Sequence, residues 1–283
     1  MAGSDVARIA RLPDATGMAH RVVLLAGHQV NYGQPIVQAV RLAGAMPVVC
    51  TDLDEARAAA RLPGTAAVLA VESHLAPGSG AATTAALAQV ARAAGVPLIL
   101  DAAAQDLRVS ELVTGGADLV LVSAQKYLRA PTAGLVMGRA DLVAAVQAQH
   151  GGIGRGMKPT KEALAGVIAA IDLREHVSME SWRPAQQRRL DAVQAASLAW
   201  PGVTAAREPD PQGNGFDRLW LTVDADVAGV DAAGLAQRLR DGDPVVAVAP
   251  HRVARGQIGL ELSGVDDAET QALCRLIGAA LKG

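Results

Sequence analysis

The chain of 283 residues is long enough to bury a full core and to divide into two domains. Its residues are 51% hydrophobic, mostly Ala, Val and Leu, with only 2% aromatic, a composition that suits Ala-rich helices packed on Val/Leu-rich strands. The formal net charge is −2 and no Lys/Arg cluster forms a basic face, which argues against a large nucleic-acid footprint.

Residues 1–13 carry Asp5, Arg8 and Arg11 among small residues and do not read as a signal peptide. No apolar run approaches the length of a membrane span, so the chain is expected in the cytoplasm. Cys50 and Cys274 are far apart and each sits beside apolar residues, as reduced core cysteines do. Residues 21–27, 47–50, 66–71, 97–102, 119–123 and 134–138 read as strands, several of them apolar on both faces. Helical spacing fills 34–43, 52–61, 81–94, 106–114 and 141–150 between them. That alternation predicts an α/β fold with a mostly parallel, doubly wound sheet.

A long helical stretch follows over 160–198, with a break expected near Arg183 because Pro184 removes a donor and clashes with the preceding turn. Beyond it the pattern predicts strand 218–223, helix 232–239, strands 245–248 and 257–262, and a last helix over 266–281. Residues 209–215 read as a loop. The expected organisation is a large domain over 1–175 and a small α+β domain over 176–283.

Two residues at strand ends carry the chemistry. Asp101 closes Pro-Leu-Ile-Leu-Asp and Lys126 follows Val-Leu-Val-Ser-Ala-Gln. In an open parallel sheet, ligands sit at the carboxyl ends of the strands. An amine and an acid there can hold pyridoxal phosphate, the amine through a Schiff base and the acid through the pyridine nitrogen. A helix-capping aspartate and a solvated lysine would have the same spacing. Ser123 is placed to donate its hydroxyl to a phosphate, or simply to cap a turn.

His28 and His74 each follow a strand and so belong to the same rim, where an imidazole can stack on a ring or exchange protons near neutral pH. The Gly-rich run 151–158 follows a helix rather than a strand and has no downstream acid, so it is not a dinucleotide loop. It reads instead as a flexible turn carrying Arg155 and Lys158 towards an anion. Arg129 is a further anion contact or a surface arginine. No nucleophile elbow and no metal-ligand spacing is present.

The segments Leu12-Pro-Asp-Ala-Thr-Gly-Met18, Ser73-His-Leu-Ala-Pro-Gly78, Leu100-Asp-Ala-Ala-Ala-Gln105, Ser123-Ala-Gln-Lys-Tyr-Leu-Arg-Ala-Pro131 and Gly152-Ile-Gly-Arg-Gly-Met-Lys158 together resemble the selenocysteine synthase-like family of fold-type I pyridoxal-phosphate enzymes. That family includes ammonia-lyases acting on phosphorylated amino sugar acids, and the similarity spans nearly the whole chain. The resemblance implies that Lys126 is the Schiff-base lysine and Asp101 the partner of the pyridine nitrogen. It implies that Ser123 contacts the cofactor phosphate, that Ser73 and His74 touch the ring or its phenolic oxygen, and that His28 contacts the ring or the substrate. Arg155 and Lys158 become anion-binding residues of the rim, contributed across a dimer interface.

The resemblance also implies roughly a hundred residues ahead of this start, including a turn that cradles the cofactor phosphate with backbone amides. Near Glu261-Leu-Ser-Gly, where relatives carry an arginine, this chain has Ser263. The expected activity is elimination on a small, phosphorylated or unphosphorylated amino acid by a homodimer or higher homo-oligomer. A selenium transferase acting on seryl-tRNA, and a truncated, split or inactive subunit, stand as alternatives.

Overall fold

The computed structural model describes residues 1–76, 78, 80–105, 109–177, 179–210 and 215–283. The chain divides into two units, Met1–Arg174 and Glu175–Gly283.

The first unit runs α1 (Val6–Arg11), β1 (Arg21–Leu25), α2 (Ile36–Leu42), β2 (Met46–Cys50), α3 (Leu53–Ala60), β3 (Thr65–Val71), α4 (Ala81–Ala94) and β4 (Leu98–Asp101). It continues through α5 (Val109–Thr114), β5 (Leu119–Ser123), β6 (Gly134–Gly138), α6 (Ala140–Ala148) and α7 (Lys161–Glu175). The six strands lie in the order β2-β1-β3-β4-β5-β6. All neighbouring pairs are parallel except β5 and β6.

Alternate residues of the central strands enter two separate cores, which is why their sequences are apolar throughout. Val23, Val68, Ala70, Leu98, Leu100, Val120 and Val122 face α3, α4 and α5, meeting Ala56, Leu87, Ala91 and Leu112. Val22, Leu24, Leu69 and Val71 face the other way, against Val30, Ile36 and Ala45. Leu24, Leu98 and Leu100 are fully buried, each contributing about 1.5–3 kcal/mol relative to an exposed side chain. Small alanines let the helices approach: Ala56 and Ala91 have no exposed surface at all. α4 stops at Gly95, whose φ of 70° closes the helix in the left-handed conformation.

The second unit contains α8 (Met179–Ser197), β7 (Val203–Pro209), β8 (Asp217–Val223), α9 (Ala225–Ala228), α10 (Ala232–Asp241), β9 (Gln257–Leu260) and α11 (Asp267–Ala280). Its antiparallel sheet, β7-β8-β9, packs Leu219, Leu221 and Ile258 on Leu190 and Val193 of α8, Leu235 of α10 and Ile277 of α11. The capping box of Asp266 and Glu269 starts α11 one residue inside the predicted limit.

Three expectations change. The helical stretch is divided between α7, which ends at Glu175, and α8, which begins at Met179, and Pro184 lies inside α8. The proline falls just past the first turn, where the missing N–H costs a single hydrogen bond and the helix carries on. Residues 245–248 form no strand; Val246 donates its N–H to Leu239 and only Ala249 bridges to Gly259. β7 was not expected, because its Ala-Ala-Arg-Glu-Pro sequence has little strand propensity and is held instead by full register with β8. Of the predicted helix over 106–114, residues 106–108 lie outside the described residues, as do 211–214 of the predicted loop.

Candidate active site

Parallel pairing brings the strand ends level. Asp101, the last residue of β4, stands opposite Val71 of β3 and Leu121 of β5. The chain leaves β5 at Ser123 and turns at once, Lys126 N–H donating to the Ser123 carbonyl at 3.3 Å and Arg129 N–H to that of Lys126 at 3.0 Å. Ala124 and Leu128 pin this turn by burial against Val167 of α7, so Lys126 itself is left exposed. Arg129 has φ of 58°, the one positive value at a non-glycine among the described residues.

The Asp101 carboxylate accepts the Ala103 N–H at 3.0 Å. Burial pushes its pKa above the usual carboxylate range, while that hydrogen bond and the positive charge of Lys126 act in the opposite direction. Lys126 and Asp101 are therefore electrostatic neighbours across two adjacent strand ends. This is the pair that the sequence singles out.

The loop after β3 adds Ser73, half-buried, whose hydroxyl accepts the Leu75 N–H at 3.2 Å, and His74, exposed. His28 differs from the expected rim imidazole. It is only 1% exposed, and its Nδ1 accepts the Val71 N–H at 3.0 Å. That bond puts the ring proton on Nε2, which is buried and has no hydrogen-bond partner among the described residues, and burial lowers the histidine's pKa. His28 also borders a cavity of about 580 Å³, reached by Gly27 after β1, Thr51 and Asp52 after β2, and Gly78 and Thr83 around the start of α4.

Arg155 and Lys158 are exposed, the first on a 3-10 turn, Ile153–Met157, and the second on the residue after it. Gly152, just before that turn, sits so close to Ile9 of α1 that a Cβ there would meet its side chain at 2.5 Å. Among the described residues, no hydrogen bond or ion pair links Arg155 or Lys158 to Asp101 or Lys126.

Two residues were missed. Tyr32 has its hydroxyl pKa raised by partial burial and by the negative charge of Asp101. Glu72 is 7% exposed at the end of β3 and accepts the Thr84 hydroxyl at 3.1 Å, tying the strand end to α4. A signal for Tyr32 existed: the chain has only two tyrosines, and both Tyr32 and Tyr127 fall in loops that follow sheet strands.

No protein-family model matches the chain. D-glucosaminate-6-phosphate ammonia lyase of Salmonella typhimurium (strain 14028s / SGSC 2262) is 36% identical to it over 273 residues, covering 94% of this chain and 72% of that protein. The chain belongs to that enzyme's family. A solved structure of D-glucosaminate-6-phosphate ammonia-lyase superposes on this family member with a TM-score of 0.85 at 32% identity, covering 99% of this chain and 76% of that one. A 5'-C-glycyluridine monooxygenase-decarboxylase of a Streptomyces species is equally similar, 36% identical over 286 residues, covering 98% of this chain and 71% of that protein. Serine palmitoyltransferase from S. paucimobilis, solved with PLP bound, shares the fold at 16% identity and a TM-score of 0.54.

The family is one of fold-type I pyridoxal-phosphate enzymes, and the chain is an enzyme of that class. Its residues fit the cofactor. A carboxyl whose pKa is raised by burial gains from a fixed positive charge beside it, and a pyridinium is such a charge. An exposed amine just past the neighbouring strand end and the Ser123 hydroxyl are of the kinds that an aldehyde and a phosphate would engage. No helix among the described residues is long and apolar enough to cross a membrane.

Proposed function

We propose that the chain is a pyridoxal-phosphate-dependent lyase acting on a small 2-amino-3-hydroxy acid, with phosphorylated amino sugar acids as the leading substrate class. The adjacency of Asp101 and Lys126 at the ends of β4 and β5 carries this reading. The 36% identity to D-glucosaminate-6-phosphate ammonia lyase supports the substrate class.

When bound, the cofactor supplies an electron sink that makes the substrate's α C–H acidic. Asp101 keeps a proton on the pyridine nitrogen by presenting a carboxylate to it. Lys126 would hold the aldehyde carbon, and its Nζ would take the substrate's α-proton and pass a proton to the β-hydroxyl, which would leave as water. The overall change, from a 2-amino-3-hydroxy acid to a 2-keto-3-deoxy acid and ammonia, consumes no oxidant or reductant. Ser123 holds the cofactor phosphate, Ser73 and His74 border the ring, and His28 backs the site from the end of β1. Arg129, Arg155 and Lys158 take the anionic groups of the substrate, the last two reaching in from a second copy of a homodimer.

In this reading the first unit is the cofactor-binding domain and the second a small accessory domain, and the enzyme works in the cytoplasm. Kinship with the selenocysteine synthase-like branch rests on Ser123, Lys126, Arg129 and Pro131 at their spacing. The equal identity to the monooxygenase-decarboxylase favours a second reading, loss of carbon dioxide with uptake of dioxygen.

Titration of the purified protein with pyridoxal phosphate should raise an absorbance band at the edge of the visible, and Lys126→Ala should lack it. Incubating the loaded enzyme with phosphorylated 2-amino sugar acids should then release ammonia and a 2-keto acid in equal amounts. Oxygen uptake with carbon dioxide and no ammonia would move the assignment to the second reading. Failure of the wild type to take up the cofactor would overturn both.

A further inference from the structure

The turn after β5 holds one residue in a conformation that its side chain disfavours. Arg129 has φ of 58°, and every other positive φ among the described residues belongs to a glycine. In that region Cβ crowds the following carbonyl oxygen, so glycine, or less often asparagine, ordinarily occupies it.

The conformation is imposed by the surrounding turn. Lys126 N–H donates to the Ser123 carbonyl at 3.3 Å, Arg129 N–H to that of Lys126 at 3.0 Å, and Ala130 N–H to that of Ala124 at 3.0 Å. Leu128 and Ala130, on either side of Arg129, are buried with Val167 of α7. These hydrogen bonds use backbone atoms and the buried side chains belong to the neighbours, so a glycine would satisfy them with less strain. A strained residue that the turn itself does not require points to a role for the side chain.

That side chain starts beside the reactive amine. The bond from Arg129 to Lys126 closes a four-residue turn, whose end Cα atoms lie within about 7 Å of each other. Both end residues are exposed and carry long side chains. A cation on so short a tether stands near the carbon at which Lys126 acts. The anion nearest that carbon is the substrate's own carboxylate, one bond away, whereas a phosphate lies at the far end of a sugar acid.

We propose that Arg129 clamps the α-carboxylate of the substrate and thereby selects which bond at the α-carbon breaks. The proposal rests on the lyase reading and narrows it. When the α C–H bond breaks, the carboxylate keeps its charge and its pairing with a planar guanidinium. When the carboxylate leaves instead, its bonding pair stays on the α-carbon, which takes a proton to give a primary amine, and neutral carbon dioxide departs. That course needs no oxidant, but it forfeits the ion pair. A clamp that binds one transition state and not the other is a selector between ammonia release and carbon dioxide loss.

Three variants, Arg129→Gly, Arg129→Ala and Arg129→Lys, test it in two measurements. In melts of the cofactor-free protein, Arg129→Gly should unfold about 2 °C or more above Arg129→Ala, the reverse of the order at an unstrained position. A glycine variant melting at or below the alanine one would remove the strain and overturn the inference. With cofactor and a phosphorylated 2-amino sugar acid, without oxygen, Arg129→Gly should raise KM and increase the ratio of carbon dioxide to ammonia, each at least about tenfold. Arg129→Lys, which keeps the charge without the fork, should fall between. An unchanged ratio would overturn the selector. If the variant loses only its discrimination between phosphorylated and unphosphorylated substrates, the anion is the phosphate and the clamp is likewise overturned. A wild type that releases ammonia while its variants keep the same ratio sinks this inference alone. A wild type that takes up no cofactor sinks the lyase reading, and the clamp with it.

Discussion

The Nδ1 of His28 accepts the backbone N–H of Val71 at 3.0 Å, so the chain leaving β1 is fastened to the end of β3 by a side chain 43 residues away. Val71 pairs with Asp101 in the sheet, which makes this imidazole an indirect support of the acid at the strand end. The bond requires a neutral ring with its proton on Nε2, and burial favours the neutral form as well.

A pH dependence follows from that bond. The pKa of His28 is lower in the folded state than in the unfolded chain. Its contribution to stability is therefore complete above the unfolded value of about 6.5, and is lost as pH falls towards the depressed folded value. His28→Leu should remove that acid-dependent loss while costing about 1–3 kcal/mol at neutral pH, because the Val71 N–H is left without an acceptor. Denaturant melts of wild type and variant from pH 7.5 downward measure both effects. Parallel curves across that range would rule out His28 as the titrating group.

Asp101 gives the opposite sign. A carboxyl with a raised folded pKa binds protons more tightly when folded, so its charged form works against stability as pH rises above the unfolded value. Asp101→Asn should therefore raise the melting temperature of the cofactor-free protein at neutral pH, and the gain should vanish in acid, where the wild-type side chain is also neutral. The same change should lower turnover by about 10²-fold or more by removing a preorganised charge. Melting at two pH values and an ammonia-release assay check the two halves separately. A variant that loses both stability and activity would assign Asp101 a packing role.

The strand-end acid and amine were legible because each closes an apolar run, and the sheet rule then puts both on one edge. The six strands of the first unit were legible for the same reason, since burial on both faces removes the polar alternation that blurs other strands. What the sequence hid was set by contacts distant along the chain. The burial of His28 follows from its bond to Val71, which no local pattern encodes. β7 exists because β8 pairs with all of it, although its own residues favour a strand poorly. Pro184 was a sound local stop signal overruled by position, just beyond the first turn of α8. Arg155 and Lys158 have the right chemistry for anions, yet no hydrogen bond or ion pair among the described residues links them to Asp101 or Lys126.

Tyr32 provides the last and most local test of the site. Its hydroxyl is held above the ordinary phenol range first by partial burial and second by the charge of Asp101. Removing that charge should let it ionise at lower pH, while the burial contribution stays. The chain has two tyrosines, so a Tyr127→Phe background leaves Tyr32 as the single phenol to follow by its ultraviolet absorbance. Adding Asp101→Asn to that background should shift the titration downward. Pyridoxal phosphate, by placing a positive charge against Asp101, should shift it the same way without any mutation. A titration indifferent to both changes would separate Tyr32 from the acid, whereas a shift with each would make its ring a wall of the cofactor site.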